Sequence, residues 1–229
     1  MLLLHGLGAT ASVWDGVVAE LGGDVVAPDL PGHGAAGTLP AAYTFAGVAE
    51  AVADLVDPTG TVVLGHSFGG VVALHLAARP GVRAVVGLGI KVAWSAEDLD
   101  RAAALAERPA LVFPTRDEAV ARHLRVSGLT GLVDPGSEAA LAGVVPDGDG
   151  WRLALDPRAF GVGEPGVTAL LDRAGCPVVL ARGEHDPMVS DADLLALGVT
   201  PVVLPGLGHN AHVEDPRAVA ALLAPHRSS

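Results

Sequence analysis

The chain predicts an α/β protein: a mostly parallel sheet of about six strands, helices on both faces, and a small helical cap. Three observations carry that prediction. Short apolar runs alternate with helix-length patterns from Leu2 to Ile90, which implies parallel strands joined by crossover helices. The rhythm stops between Val92 and about Val167 and then resumes. The loops that follow the apolar runs carry His, Ser, Asp and Gly, at the end of the strands where open parallel sheets place their sites.

Leu2-Leu3-Leu4 reads as the first strand, with a helix opening near Ser12-Val13-Trp14 and running to about Leu21. Val25-Val26-Ala27 reads as the second strand and is closed by the turn-rich Pro28-Asp29-Leu30-Pro31-Gly32-His33-Gly34. A helix is expected from about Phe45 to Val56, with Val48, Val52 and Leu55 on one face. Thr61–Leu64 and Val82–Gly89 are strands on either side of a helix that ends at Arg79-Pro80-Gly81. Within the interruption, Ser95–Arg108 and Asp117–Val126 look amphipathic, with Ser95 and Thr115 placed as N-caps. Trp151–Leu155 is a short extended piece, preceded by the turn signal Asp147-Gly148-Asp149-Gly150. This segment is too small to bury a core of its own. The expected organisation is therefore a core of residues 1–91 and 167–229 with residues 92–166 inserted as a cap. A helix near Thr168–Ala174 and the strand Pro177–Ala181 restart the rhythm. A short helix near Ala192–Leu197, the strand Val202–Leu204 and a helix from about Pro216 to Leu223 complete it.

Bulk properties narrow the partners. Half of the 229 residues are hydrophobic but only 3% are aromatic, so the core must be built from Ala, Val and Leu. A formal charge of −12 disfavours nucleic acid and anionic membrane surfaces, both of which need basic faces. The single cysteine, Cys176, permits no intramolecular disulfide. Met1-Leu2-Leu3-Leu4 runs directly into His5-Gly6, without the pattern of a secretory leader, and a cytoplasmic protein is expected. The histidines show neither H-E-x-x-H nor Cys/His ligand spacing, and Gly6-Leu7-Gly8 lacks the third glycine of a dinucleotide fingerprint. No metal and no cofactor are expected.

Gly65-His66-Ser67-Phe68-Gly69 fits G-x-S-x-G between a strand and a helix, the setting in which that motif holds a serine on a strained turn. A serine hydroxyl becomes a useful nucleophile only when a base takes its proton, and a third group must fix the tautomer of that base. The chain supplies Ser67, then Asp186, then His209, each just after a strand. Glu184 is a rival acid and His212 a rival base. Asp186 is preferred because the other place for the acid, the strand end Gly89-Ile90-Lys91, holds no carboxylate. His209 is preferred because it directly follows the Gly206-Leu207-Gly208 turn. The N–H groups of Leu7 and Phe68 would form an oxyanion hole. His5, His33 and His66 are expected to hold loops by hydrogen bonds, and Trp94, Trp151 and Phe160 are candidates to line a pocket under the cap.

Together these segments resemble the α/β-hydrolase superfamily, in its serine-nucleophile form with a small helical cap. The likeness rests on Leu4-His5-Gly6-Leu7-Gly8 with Trp14, Asp29–Gly34, Gly65–Gly70, Arg182-Gly183-Glu184-His185-Asp186 and Gly208-His209, in the family's order. It implies the same fold, triad and oxyanion donors, and a small-molecule acyl substrate: a carboxylic ester cleaved through an acyl-enzyme on Ser67. Thioesters, lactones, C–C bonds and cofactor-free perhydrolysis are alternatives for the same residues, and a non-hydrolytic small-ligand receptor is an alternative of another class. Members usually have two further strands before the His-Gly strand. This chain starts at that strand, so about six strands and a different sheet edge are expected, and the oligomeric state is left open.

Overall fold

The computed structural model describes residues 1–39 and 42–226. In chain order its elements begin with β1 (Leu2–Leu4), a 3-10 turn at Ala11–Trp14, α1 (Asp15–Leu21), α2 (Phe45–Ala51), β2 (Thr61–His66), α3 (Phe68–Leu76) and β3 (Val82–Leu88). The interruption contains α4 (Ala96–Ala106), α5 (Arg116–Val126), α6 (Glu138–Leu141), β4 (Val144–Asp147), β5 (Gly150–Leu153) and a 3-10 turn at Pro157–Gly161. The rest is α7 (Val167–Asp172), β6 (Val178–Gly183), α8 (Asp191–Ala196), β7 (Val202–Leu204), α9 (Ala211–Glu214) and α10 (Pro216–Leu223).

The main sheet is parallel throughout, in the order β1-β2-β3-β6-β7. It has five strands where six are expected. The stretch Val25–Ala27 makes one parallel bridge, Val26 to Leu2, closed by Leu3 N–H to the Val26 carbonyl (2.9 Å) and Val26 N–H to the Met1 carbonyl (2.8 Å). Pro28 follows at once, has no N–H to extend the ladder, and turns the chain into the Asp29–Gly34 loop. Side chains alternate cleanly across the sheet. Leu2, Leu4, Val63 and Val85 pack into one core with α2, α3 and α7, whereas Leu3, Val62, Leu64 and Val86 pack into a second with α1 and α10. Both faces are therefore covered, as parallel sheets require.

Ser95 and Thr115 cap α4 and α5 with reciprocal capping boxes to Asp98 and Glu118. The interruption, expected to be helical, is not wholly so. The extended piece at Trp151 pairs with Val144–Asp147 as an antiparallel hairpin, and Gly148 (φ +59°) takes its turn. Phe113 adds a bridge to Trp151, tying the loop before α5 to the hairpin. Among the described residues, no helix is long and apolar enough to cross a membrane.

Candidate active site

The C-terminal ends of β2, β6 and β7 carry Ser67, Asp186 and His209 at one end of the sheet. Ser67, between β2 and α3, has φ +49° and is the one non-glycine with positive φ among the described residues. That backbone costs on the order of 1–3 kcal/mol and persists only where the surroundings impose it. Here they do. Ser67 N–H donates to the Leu88 carbonyl (2.8 Å), pinning the turn to β3. A Cβ on Gly65 would lie 2.1 Å from the Gly69 carbonyl oxygen, and one on Gly69 would lie 2.3 Å from that of Leu4. Strand and helix can approach this closely only as glycines.

Asp186 and His209 meet across the next gap. His209 Nδ1 lies 3.0 Å from each Asp186 carboxylate oxygen, and the Asp186 side chain is fully buried while that of His209 is 21% exposed. A carboxylate only accepts, so Nδ1 carries the hydrogen and Nε2 is left with a free lone pair. Asp186 Oδ1 also accepts from Met188 N–H (2.8 Å), a turn two residues on that locks the carboxylate in place. The two loops are pressed together by Gly183, where a Cβ would lie 2.1 Å from the Gly208 oxygen. The rivals are occupied otherwise. Glu184 accepts from Gly206 N–H (2.8 Å), and His212 is buried beside Trp14 with both ring nitrogens unpartnered.

The other histidines order the loops. Leu30 N–H donates to His5 Nε2 (2.9 Å), so His5 must donate from Nδ1 to the Gly6 carbonyl (2.9 Å); burial lowers its pKa to about 4 and keeps it neutral in this role. His66 donates from Nε2 to the His209 carbonyl (2.9 Å), with its pKa held well below the ordinary range by burial and by the adjacent His212 and His209 rings. His33 reaches the Pro31 carbonyl (3.2 Å) and packs against the Phe68 ring.

Phe68 opens α3, so its N–H has no intrahelical acceptor and points out of the positive helix end. Gly6 places Leu7 opposite: a Cβ on Gly6 would lie 3.5 Å from Ser67 Cβ. The loop after β1 that carries Leu7 and the start of α3 at Phe68 thus both adjoin Ser67, an arrangement able to accommodate a developing oxyanion. The ends of Asp29 secure the first of these loops to the next, accepting from Ala11 N–H and Ala35 N–H at 2.7 Å each.

Within the interruption itself lies a cavity of about 250 Å³ lined by Leu105, Phe113, Val126, Leu153, Leu155 and Phe160 among others. Phe160 is one of its lining residues. Trp94 and Trp151 lie outside this lining: Trp94 Nε1 donates to the Lys91 carbonyl (2.8 Å) under the Lys91 ammonium, and Trp151 lies beneath the Arg116 guanidinium. The sequence reading missed Gly89 and Met188. Gly89 (φ +64°) sits so close to the pair that a Cβ would fall 2.9 Å from Asp186 Oδ2. The Asp-Pro-x pattern signals the Met188 contact, whereas Gly89 has no sequence signal beyond being the glycine that ends β3.

A family model described as "Alpha/beta hydrolase family" matches residues 1–222. The chain belongs to the alpha/beta hydrolase family. It is 33% identical to lipase LipV of Mycobacterium tuberculosis over 212 residues, covering 86% of this chain and 79% of that protein. An uncharacterized protein of the same organism, Rv2715, is 40% identical over only 82 residues, 34% of this chain and 24% of that protein. The chain thus spans about a quarter of that relative. Among solved structures, E-2-(acetamidomethylene)succinate hydrolase superposes with a TM-score of 0.80 at 22% identity, over 98% of this chain and 90% of that one. That likeness speaks to the fold.

Proposed function

We propose that this alpha/beta hydrolase is an enzyme that cleaves a small carboxylic ester, or a related acyl substrate, through an acyl-enzyme on Ser67. The observation that carries this reading is the His209–Asp186 contact, with both carboxylate oxygens 3.0 Å from Nδ1 and Nε2 free, at the same end of the sheet as a serine held at φ +49°. His209 takes the Ser67 proton as the hydroxyl attacks the acyl carbon, and the carbonyl electrons move onto oxygen, which Leu7 and Phe68 N–H groups stabilise. The tetrahedral species collapses with expulsion of the alcohol, to which His209 returns the proton. Water then repeats the sequence on the acyl-enzyme and releases the acid. Asp186 orients the imidazole and stabilises its cationic form.

Residues 92–166 act as the cap, whose apolar cavity selects the substrate. An ester is favoured because one relative, LipV, is named as a lipase and another, Rv0045c, as an esterase, and the lining is hydrocarbon-rich. A cytoplasmic location belongs to the same reading.

Treatment with a fluorophosphonate, followed by intact-mass measurement, tests it. The expected result is one adduct on the wild-type chain that is absent from Ser67→Ala. A folded wild-type protein that takes up no adduct would overturn the assignment of Ser67 as an activated nucleophile.

A further inference from the structure

Two guanidinium groups, Arg108 and Arg122, line the cap cavity, and every other lining residue is apolar. No carboxylate accompanies them, although the chain has 26 acidic side chains against 14 basic ones. Arg79, Arg101, Arg152, Arg158 and Arg182 each pair with a carboxylate, whereas Arg116, Arg125, Arg173 and Arg217 are in no ion pair among the described residues and line no apolar cavity of this kind. Among the described residues, Arg108 and Arg122 have no ion pair and no side-chain hydrogen bond. Arg122 is half-buried and stands one helical turn before Val126 on α5, on the face turned to the cavity, while Arg108 is exposed just after α4.

The wall of the cavity packs against the elements around Ser67. Val126 packs on the oxyanion loop, where a Cβ on Gly8 would lie 2.8 Å from its Cγ1. Leu155 bridges to His33, whose ring lies 5.7 Å from that of Phe68. Leu7, Phe68, Val126, Leu153, Leu155 and Phe160 belong to one apolar cluster. The volume of about 250 Å³ holds roughly eight groups of water size.

We propose that this cavity takes an amphiphilic substrate: an ester whose apolar chain ends in a free carboxylate, bound by Arg122 with Arg108 beside it. Arg122, half-buried in an apolar lining, loses part of its hydration, and a bound anion offsets that loss. A guanidinium also fits a carboxylate through two parallel N–H···O bonds. The proposal names the substrate class of the reaction proposed for Ser67, but its binding half stands without turnover.

That half is tested by calorimetric titration of the Ser67→Ala chain with octanoate and, separately, octan-1-ol. The carboxylate is expected to bind about 10-fold or more tightly than the alcohol, the worth of a charge-assisted hydrogen bond. The difference should shrink in Ser67→Ala/Arg122→Gln, be partly kept in Ser67→Ala/Arg122→Lys, and fall with added salt in Ser67→Ala itself. Equal binding of acid and alcohol, or a preference untouched by both Arg122→Gln and salt, would overturn the proposal. On the wild type, mono-4-nitrophenyl adipate should exceed 4-nitrophenyl hexanoate in kcat/KM. Turnover of both esters without that preference counts against the arginine site alone. Failure to turn over either ester, with the carboxylate preference intact in the Ser67→Ala titration, counts against the Ser67 reading alone.

Discussion

The sheet edge around Ser67 and the cap above it are built on different principles. At the edge, backbone meets backbone at distances that exclude even one methyl group: Gly65 against Gly69, Gly69 against Leu4, Gly183 against Gly208. Asp186 has no exposed side-chain surface, and its carboxylate contacts come from a ring nitrogen and a main-chain N–H. The cap meets its own cavity with hydrocarbon and two arginines, and Leu111 and Val112 near it remain 61% and 53% exposed. The helices α4 and α5 are held by capping boxes and by packing against the hairpin and the Pro157–Gly161 turn. On the proposed function, chemistry is positioned by main-chain geometry with almost no slack, and selection is left to side chains that can change without disturbing the strands beneath.

The largest effect expected from that contrast follows from Asp186→Asn. The amide can present an N–H to His209 Nδ1, which favours the tautomer with its hydrogen on Nε2 and removes the base from Ser67. Turnover of a p-nitrophenyl ester should fall by about 10³- to 10⁴-fold with far-UV circular dichroism unchanged. A loss below about 10-fold would mean that this carboxylate does not set the tautomer.

Next comes a comparison of two glycines, both with positive φ. Gly89→Ala places a methyl 2.9 Å from Asp186 Oδ2 and 3.2 Å from His209 Nδ1, whereas Gly163→Ala (φ +86°), in the cap, meets nothing within 4 Å. Both pay backbone strain of about 1 kcal/mol or more, measurable by denaturant titration. Only Gly89→Ala should also lower kcat, by about 10- to 100-fold, because displacement of a positioned base by a few tenths of an ångström is felt in the reaction. Equal kcat values in the two variants would show that the Asp186–His209 pair tolerates a methyl group at residue 89.

Much of this edge is legible in the sequence because its parts are local. A serine between paired glycines after a β-branched run, an Asp-Pro after a strand, and a histidine after Gly-Leu-Gly each announce a loop at a strand end, and the alternation of elements puts those ends together. What is not legible depends on approach between distant segments. Gly89 is needed only because Asp186 and His209, about a hundred residues on, close over it. The sixth strand fails for a local reason, Pro28, whose effect on an edge strand is graded and not absolute. In the cap, periodicity finds α4 and α5 but does not say which of Trp94, Trp151 and Phe160 faces inward. The hairpin that turns Trp151 toward Arg116 is a long-range choice made by Phe113 and Val144–Asp147.

A smaller effect separates the structural histidines from the proposed base. His5, His33, His123 and His212 are buried, and desolvation lowers their pKa values to about 4, 3, 4 and 3. An unfolded histidine takes up a proton below about pH 6.5, which the folded one refuses until the lowered value is reached. Stability is therefore present above about pH 6.5 and is lost as pH falls toward 4. Each such group costs about 2 kcal/mol at pH 5 relative to pH 8. His212→Phe removes one of them without stranding a partner, since neither ring nitrogen is hydrogen-bonded, and an aromatic ring is retained beside Trp14 and His66. The variant should match the wild-type Tm at pH 8 within a few degrees and exceed it by roughly 5 °C more at pH 5. A parallel shift at both pH values would mean that His212 does not stay neutral in the folded chain.

The mildest prediction concerns the cap. Phe160 is half-buried in the Pro157–Gly161 turn, which packs on α4, and its ring forms part of the cavity wall. Truncation to Ala enlarges the cavity at a place that touches neither the glycine contacts nor the Asp186–His209 pair. Binding of an acyl chain long enough to reach that wall should weaken, while an acetyl group held near Ser67 should feel little. The ratio of kcat/KM for p-nitrophenyl hexanoate over acetate is expected to drop about 5-fold, near the value of one methylene in a hydrophobic pocket. If both esters lose the same factor, the turn is transmitting strain to the sheet edge, and the separation between a rigid reacting edge and a permissive selecting cap does not hold. If the ratio falls while the acetate rate persists, chain-length preference can be rewritten from the cap alone.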